Sequence, residues 1–467
     1  MIWLQNFVAA LALSVLIAAG TPAHASQQAS PDDTARFLAG LNPSAQSPLV
    51  ALTQDRGWQQ HADALNTVWA GLDAQQLSKI RAWSQTNLTA RKQVTYYPFS
   101  GPDFLYADAF FPNSSTYVLA GLEQIGQLPD VLKLRARTVT GELGKIRSSL
   151  STLLSRSYFI TSEMGTDLSA SQLRGTLPLL YVFLARTGKT IHEVNFVELT
   201  SDGTEQPVSD AKGNTRGVKI TFSGSDAKPR TLYYFRTDLS NRGVQNSGFL
   251  QFCAKLGIGD VFIKAASYLL HNQAFATLRD FLLDHGATIV QDDTGIPVKH
   301  FQQAGWDVRP FGHYVGPIPT FRGNYQSKLK DLFAKNNAQP IAFGIGYRWR
   351  LNQSHVLLAT SKNPGATPFG LPATQAKQTA PRKKSPPPLR AVAQKPSRFD
   401  HWRSLLMGGL ITNALVSAFG LEFLANALGF VLQTAAIGGI VWLIASLARN
   451  RGFPHSDVPT TSPGGRV

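Results

Sequence analysis

The sequence predicts an α+β body carrying helices plus an antiparallel meander and hairpins, followed by a C-terminal transmembrane segment. Three observations lead there. Helical spacing and strand-like alternation occur in separate blocks, the strand-like runs are joined by short turn-rich stretches, and two long apolar runs follow a Pro-rich linker near the end. The chain has 467 residues with 43 % apolar and 16 % charged side chains, which excludes a coiled-coil rod and a disordered chain. Cys253 is the single cysteine, so neither an intrachain disulfide nor a Cys-based zinc site is available.

Residues 1–25 read as a signal peptide: an apolar run over 7–20, the helix-breaking Thr21-Pro22, then Ala23-His24-Ala25 before Ser26. The exported body is expected over 26–362, as one unit or as two subdomains dividing near residue 188. Within 31–92 the apolar positions recur at helical spacing, as in Leu77, Ile80 and Trp83, and predict two or three surface helices. Residues 94–99 and 104–111 are aromatic and β-prone, and the turn cluster Pro112-Asn113-Ser114-Ser115 precedes a further β-prone run over 116–122. A hairpin is expected there.

Helices are predicted over 146–159 and 173–185, the second apolar nearly all round. Alternation then takes over. Val218, Ile220 and Phe222 share one face, and 194–199 with 232–236 complete a three-stranded antiparallel meander. Asp260 is read as the N-cap of a long helical region reaching His285 before Gly286. Strands are expected over 288–290, 341–347 and 355–360, with a helix over 325–335.

Residues 363–403 hold eight Pro and eight Lys or Arg against the single acid Asp400, which predicts an extended, unpacked linker. Residues 404–451 follow as one or two membrane segments, the run over 428–448 being long enough to span a bilayer with Arg449 and Arg451 at its flank. A short tail occupies 452–467. The net charge of +16 divides evenly, with +8 on 26–362 and +8 on 363–467, so the body is only mildly basic and nucleic acid is not an expected partner. The expected partners are the membrane and anionic lipid or an envelope polymer.

The order of basic Pro-rich linker, Leu406-Met407-Gly408-Gly409-Leu410, Ala418-Phe419-Gly420-Leu421-Glu422 and Arg449-Asn450-Arg451 resembles the membrane region of bacterial relatives of the mitochondrial import-motor tether. Only sixteen residues follow Arg451, where that family carries its functional α+β domain. The resemblance implies membrane attachment and no chemistry. Tyr97-Pro98-Phe99-Ser100-Gly101-Pro102-Asp103 and Gln291-Asp292-Asp293-Thr294-Gly295-Ile296-Pro297 resemble segments of uncharacterised exported bacterial proteins, which implies export from a bacterial cytoplasm.

Candidate chemistry is sparse. Gly188-Lys189-Thr190 has Phe183 where a phosphate-binding loop needs its first Gly, and His192-Glu193 has Phe196 where a metalloprotease helix needs its second His. Neither a metal nor a cofactor is expected. Cys253 lies in an apolar run, where a thiol is a small buried hydrophobe before it is a nucleophile. Asp293-Thr294-Gly295 resembles the Asp-Thr-Gly of aspartic proteases, in which two carboxylates share a proton. This chain has one such motif, and the same residues are a common turn, with Asp bonding its own backbone and Gly at positive φ. Asp292 beside Asp293 would raise one carboxyl pKa in either case. Trp306, Arg309, His313, Tyr314, Arg322, Arg348, Trp349 and Arg350 gather the residue types that binding surfaces use, and core packing of the aromatics explains the same pattern. The expected function is therefore a membrane-tethered envelope protein with a binding or structural body. The alternatives are a hydrolase built around Asp293, or a tether whose basic linker does the work.

Overall fold

The computed structural model describes residues 28–159, 173–209, 216–303 and 305–365. The expected signal peptide, most of the linker and the membrane segments lie outside the described residues. Among those described, no helix is long and apolar enough to cross a membrane.

Helix α1 (Pro31–Leu38) starts where the Ser30 hydroxyl accepts the Asp33 amide, with Pro at the first turn. Helix α2 (Arg56–Leu72) is capped by Asp55 and passes through one wide turn into α3 (Ser78–Asn87). Strand β1 (Val94–Tyr97) is followed by α4 (Phe104–Phe110), β2 (Thr116–Gly121), α5 (Ala136–Arg156) and α6 (Leu177–Arg186). Next come β3 (Thr190–Leu199), β4 (Glu205–Pro207), β5 (Gly217–Ser223) and β6 (Pro229–Arg236). The short helices α7 (Asn241–Ser247) and α8 (Phe249–Leu256) lead into β7 (Gly259–Ile263), α9 (Ala276–His285) and β8 (Gly286–Gln291). The last elements are α10 (Val298–Gln303), β9 (Trp306–Gly312), α11 (Ser327–Lys335) and β10 (His355–Ser361).

The ten strands of the described residues form one sheet in the order β4-β3-β5-β6-β2-β1-β7-β8-β10-β9. The fold is mixed α/β. Five central strands, β6 to β8 in that order, pair in parallel, and an antiparallel wing extends each side. Strand alternation then separates two cores: Tyr97, Phe262 and Val290 pack under α1 to α6, while Tyr96, Val261 and Ile289 pack under α7 to α9. The centre, covered on both faces, is therefore doubly wound, where only antiparallel strands were expected.

The β3-β5-β6 meander matches the expected alternation, with a register shift between Ile191 and Glu193. The hairpin over 94–122 is corrected. Residues 104–110 are helix α4, N-capped by the Asp103 carboxylate on the Tyr106 amide, and they carry the crossover that lets β1 and β2 run parallel. Every residue of α4 is buried, so no polar face marks the helical period. Asp260 is likewise not a cap: it lies inside β7, and the helix begins only at Ala276. Residues 341–345 are coil with a single helical turn at Gly346–Arg348, where a strand was expected.

Candidate functional site

The chain leaves β1 for β2 on one side and later returns as β7 on the other, so the strand order reverses between β1 and β7. In open α/β sheets a crevice opens beyond the carboxyl ends of the strands at such a reversal. The loops after β1, β7 and β8 meet at that edge. β10 runs antiparallel to β8 with Leu357 opposite Gln291, and therefore places His355 at the same edge.

Two buried charge clusters fill this place. In the first, Lys264 Nζ lies 2.8 Å from Asp103 Oδ2 and 3.7 Å from the Tyr106 ring centroid, and it donates to the Ser157 carbonyl. Tyr97 donates its hydroxyl to the same Asp103 oxygen at 2.9 Å. Burial pushes the Lys264 ammonium pKa down against the pull of Asp103 and Asp292. In the second, Tyr268 donates to Asp293 Oδ2 at 2.7 Å, and His355 Nε2 stands 3.4 Å from Asp293 Oδ1 and 3.0 Å from the Asp293 amide nitrogen. Protonated, Nε2 donates to the carboxylate; unprotonated, it accepts the amide proton.

The two carboxyls of Asp292-Asp293 part in acidity. Burial, then the neighbouring Asp293 charge, push Asp292 up to about 6. Burial would also raise Asp293, but the hydrogen bond and charge of His355, with the Tyr268 hydroxyl, hold it below the ordinary carboxylate range. His355 moves the opposite way: burial opposes its charge, and Asp293 outweighs burial and raises it. This divided protonation is what general acid and base work requires, yet access is missing. Asp103, Lys264, Asp292, Asp293 and His355 are 1 % to 3 % exposed.

Their bonds run inward. Asp292 Oδ2 accepts the Ala265 amide at 2.9 Å and Oδ1 accepts the Thr294 amide at 2.9 Å, while Thr294 Oγ1 accepts the Ala266 amide at 2.8 Å. The turn is thus made by Asp292, not Asp293, and Gly295 is not among the positive-φ glycines, contrary to the sequence expectation. The clamped segment is strained. Ala265 (φ 51), Ser267 (φ 49) and Tyr268 (φ 57) are left-handed, as is Phe99 (φ 59) after β1, and such conformations persist only where surrounding bonds enforce them. Gly346 (φ +66) passes so close that an added Cβ would lie 1.8 Å from Asp292 Oδ2.

Tyr347 joins this core to the surface. Its hydroxyl donates to the Ala265 carbonyl at 3.1 Å and lies 2.8 Å from Ser267 Oγ. On its outer side it helps line a cavity of about 310 Å³ with Arg156, Tyr158, Arg348, Trp349 and Arg350. Among the described residues, no group of three or more His, Cys, Asp or Glu side chains is arranged to hold a metal ion.

Of the residues singled out by sequence, Arg348, Trp349 and Arg350 meet at this cavity. Tyr314 packs edge-on against His355, with ring centroids 5.3 Å apart. Trp306 is buried against Phe301. Arg309, His313 and Arg322 are exposed and away from the cavity lining. Cys253 is buried in the second core, where burial raises its thiol pKa far above the ordinary value. Sequence reasoning missed Asp103, Lys264, Tyr268 and His355. Lys264 alone left a signal, as a lone charge after the apolar run Val261-Phe262-Ile263.

No family model, curated protein or solved structure matches the chain.

Proposed function

We propose that this is a binding component of the bacterial envelope, exported and attached to the membrane through residues 404–451, whose body holds a small ligand at the reversal of strand order. One observation carries the choice of binding over hydrolysis. The bonds of Asp292, Asp293 and His355 run inward and brace the strained loop after β7, while the open cavity lies beyond Tyr347 and is lined by arginine and aromatic side chains. Export is supported by the apolar leader and its small-residue cleavage pattern, and attachment by the long apolar run over 428–448.

Asp293→Asn separates the two uses of the carboxylate. As a brace it loses a charged acceptor for two buried donors, and the full-length protein should lose about 1.5–3 kcal/mol in chemical denaturation. An unchanged stability together with loss of hydrolysis across ester, phosphate and peptide substrates would instead make the site catalytic. Protease added to intact spheroplasts should digest the body; a protected body would remove the envelope assignment.

A further inference from the structure

We infer that the cavity takes a small organic oxyanion, a phosphate or carboxylate carried on one planar ring; this rests on the binding reading above. Its described lining holds three guanidinium groups and no carboxylate. Arg348 is held rigidly by neutral acceptors alone: Nε donates to the Gly316 carbonyl at 3.0 Å, Nη2 to the Pro317 carbonyl at 2.6 Å and Nη1 to Gln353 Oε1 at 3.2 Å. Those bonds fix its position, and among the described residues no carboxylate cancels its charge. Arg350 lies over the Trp349 ring, 5.4 Å from the centroid, and a ring face orients a guanidinium without neutralising it. Arg156 closes the last turn of α5, and no ion pair to it is formed among the described residues.

Three guanidinium groups around one hollow, none in an ion pair among the described residues, favour a bidentate oxyanion, because the planar fork matches two oxygens at once. The rest of the wall is Tyr158, Tyr347 and Trp349 with Ile318 and Gln353. Tyr158 and Tyr347 meet edge to face at 5.0 Å and 80°, and the Tyr347 hydroxyl is committed to the β7 loop, so its ring is what it offers the cavity. The volume, about 310 Å³, lies at the lower end of ligand pockets and suits one ring with one charged group, not a polymer segment.

Full-length protein in detergent micelles should be titrated calorimetrically with phenyl phosphate, benzoate, inorganic phosphate and benzyl alcohol. The two ring-bearing anions should saturate one site, the tighter of them telling phosphate from carboxylate. Inorganic phosphate and benzyl alcohol, each lacking one half of the match, should bind about tenfold or more weakly. Arg156→Gln combined with Arg350→Gln should weaken the anions by about a hundredfold, one decade for each charged contact, with an unchanged melting temperature because both side chains are exposed. Benzyl alcohol binding as tightly as phenyl phosphate would overturn the anion assignment and leave the binding role standing. Anion binding that survives the double substitution would move the site away from this cavity. No binding of any of the four probes would overturn both the anion assignment and the binding role.

Discussion

The carboxyl edge of the central strands and the β3-β5-β6 wing belong to one sheet but are built on opposite principles. Apart from the register shift in β3 the wing keeps regular antiparallel pairing, and its left-handed non-glycine residue, Ala227, sits on an exposed turn. Its charges are paired where water still reaches them: Lys219 meets Glu205 at 2.9 Å with the two side chains 31 % and 26 % exposed. The carboxyl edge buries Lys264 against Asp103 at 2 % exposure each and holds four non-glycine residues left-handed. The same residue types thus do different work. On the wing a lysine decorates a surface; at the edge it fixes how three loops meet, since its partners lie on the loop after β1 and at the end of α5.

Lysine deletion tests that contrast most severely. Lys264→Met should leave Asp103 buried without its counter-charge and cost about 3–5 kcal/mol in urea unfolding. A cost under about 1 kcal/mol, the range of exposed pairs, would show that water reaches the pair and that the edge resembles the wing.

The opposite end of β7 sharpens the comparison through pH. Asp260 is fully buried there with the Lys92 amide on its carboxylate at 2.7 Å, and burial pushes its pKa up to about 6. A carboxyl with a raised folded-state pKa contributes its stability below its ordinary value near 4, and that contribution is lost as pH rises through about 6. Asp260→Asn is neutral throughout. The stability of the parent relative to this variant should therefore fall by up to about 3 kcal/mol between pH 4 and pH 7. His61 works the other way: burial lowers it to about 4, so its contribution disappears as pH falls from 6.5 through 4. The difference between parent and variant cancels that background, and a flat difference would mean that Asp260 is hydrated in solution.

The smallest effect belongs to the wing. Lys219→Met breaks a half-exposed pair and should change stability by about 1 kcal/mol or less. A larger loss would show that the Lys219–Glu205–Tyr233 group, with the Tyr233 hydroxyl on Glu205 at 2.7 Å, is a structural unit comparable to the edge.

Local pattern carried the wing and much of the covering layer. Alternation marked β3, β5 and β6 because one face of each meets the core and the other is more polar, and the apolar runs announced α6 and β8. Where burial is complete, the pattern says nothing about period. Helix α4 therefore read as a strand, and β7 read as the start of a helix. The chemical inventory of Asp292, Asp293, Arg348, Trp349 and Arg350 was visible in the chain, because residue types are read directly from the sequence. What only the tertiary structure decided is convergence. Asp103, Lys264, Asp293 and His355 come together through parallel pairing and one antiparallel return, between segments up to 252 positions apart in sequence. Strand pairing over such distances is set by how two faces of one sheet are covered, a property of the whole fold that no local run of residues encodes.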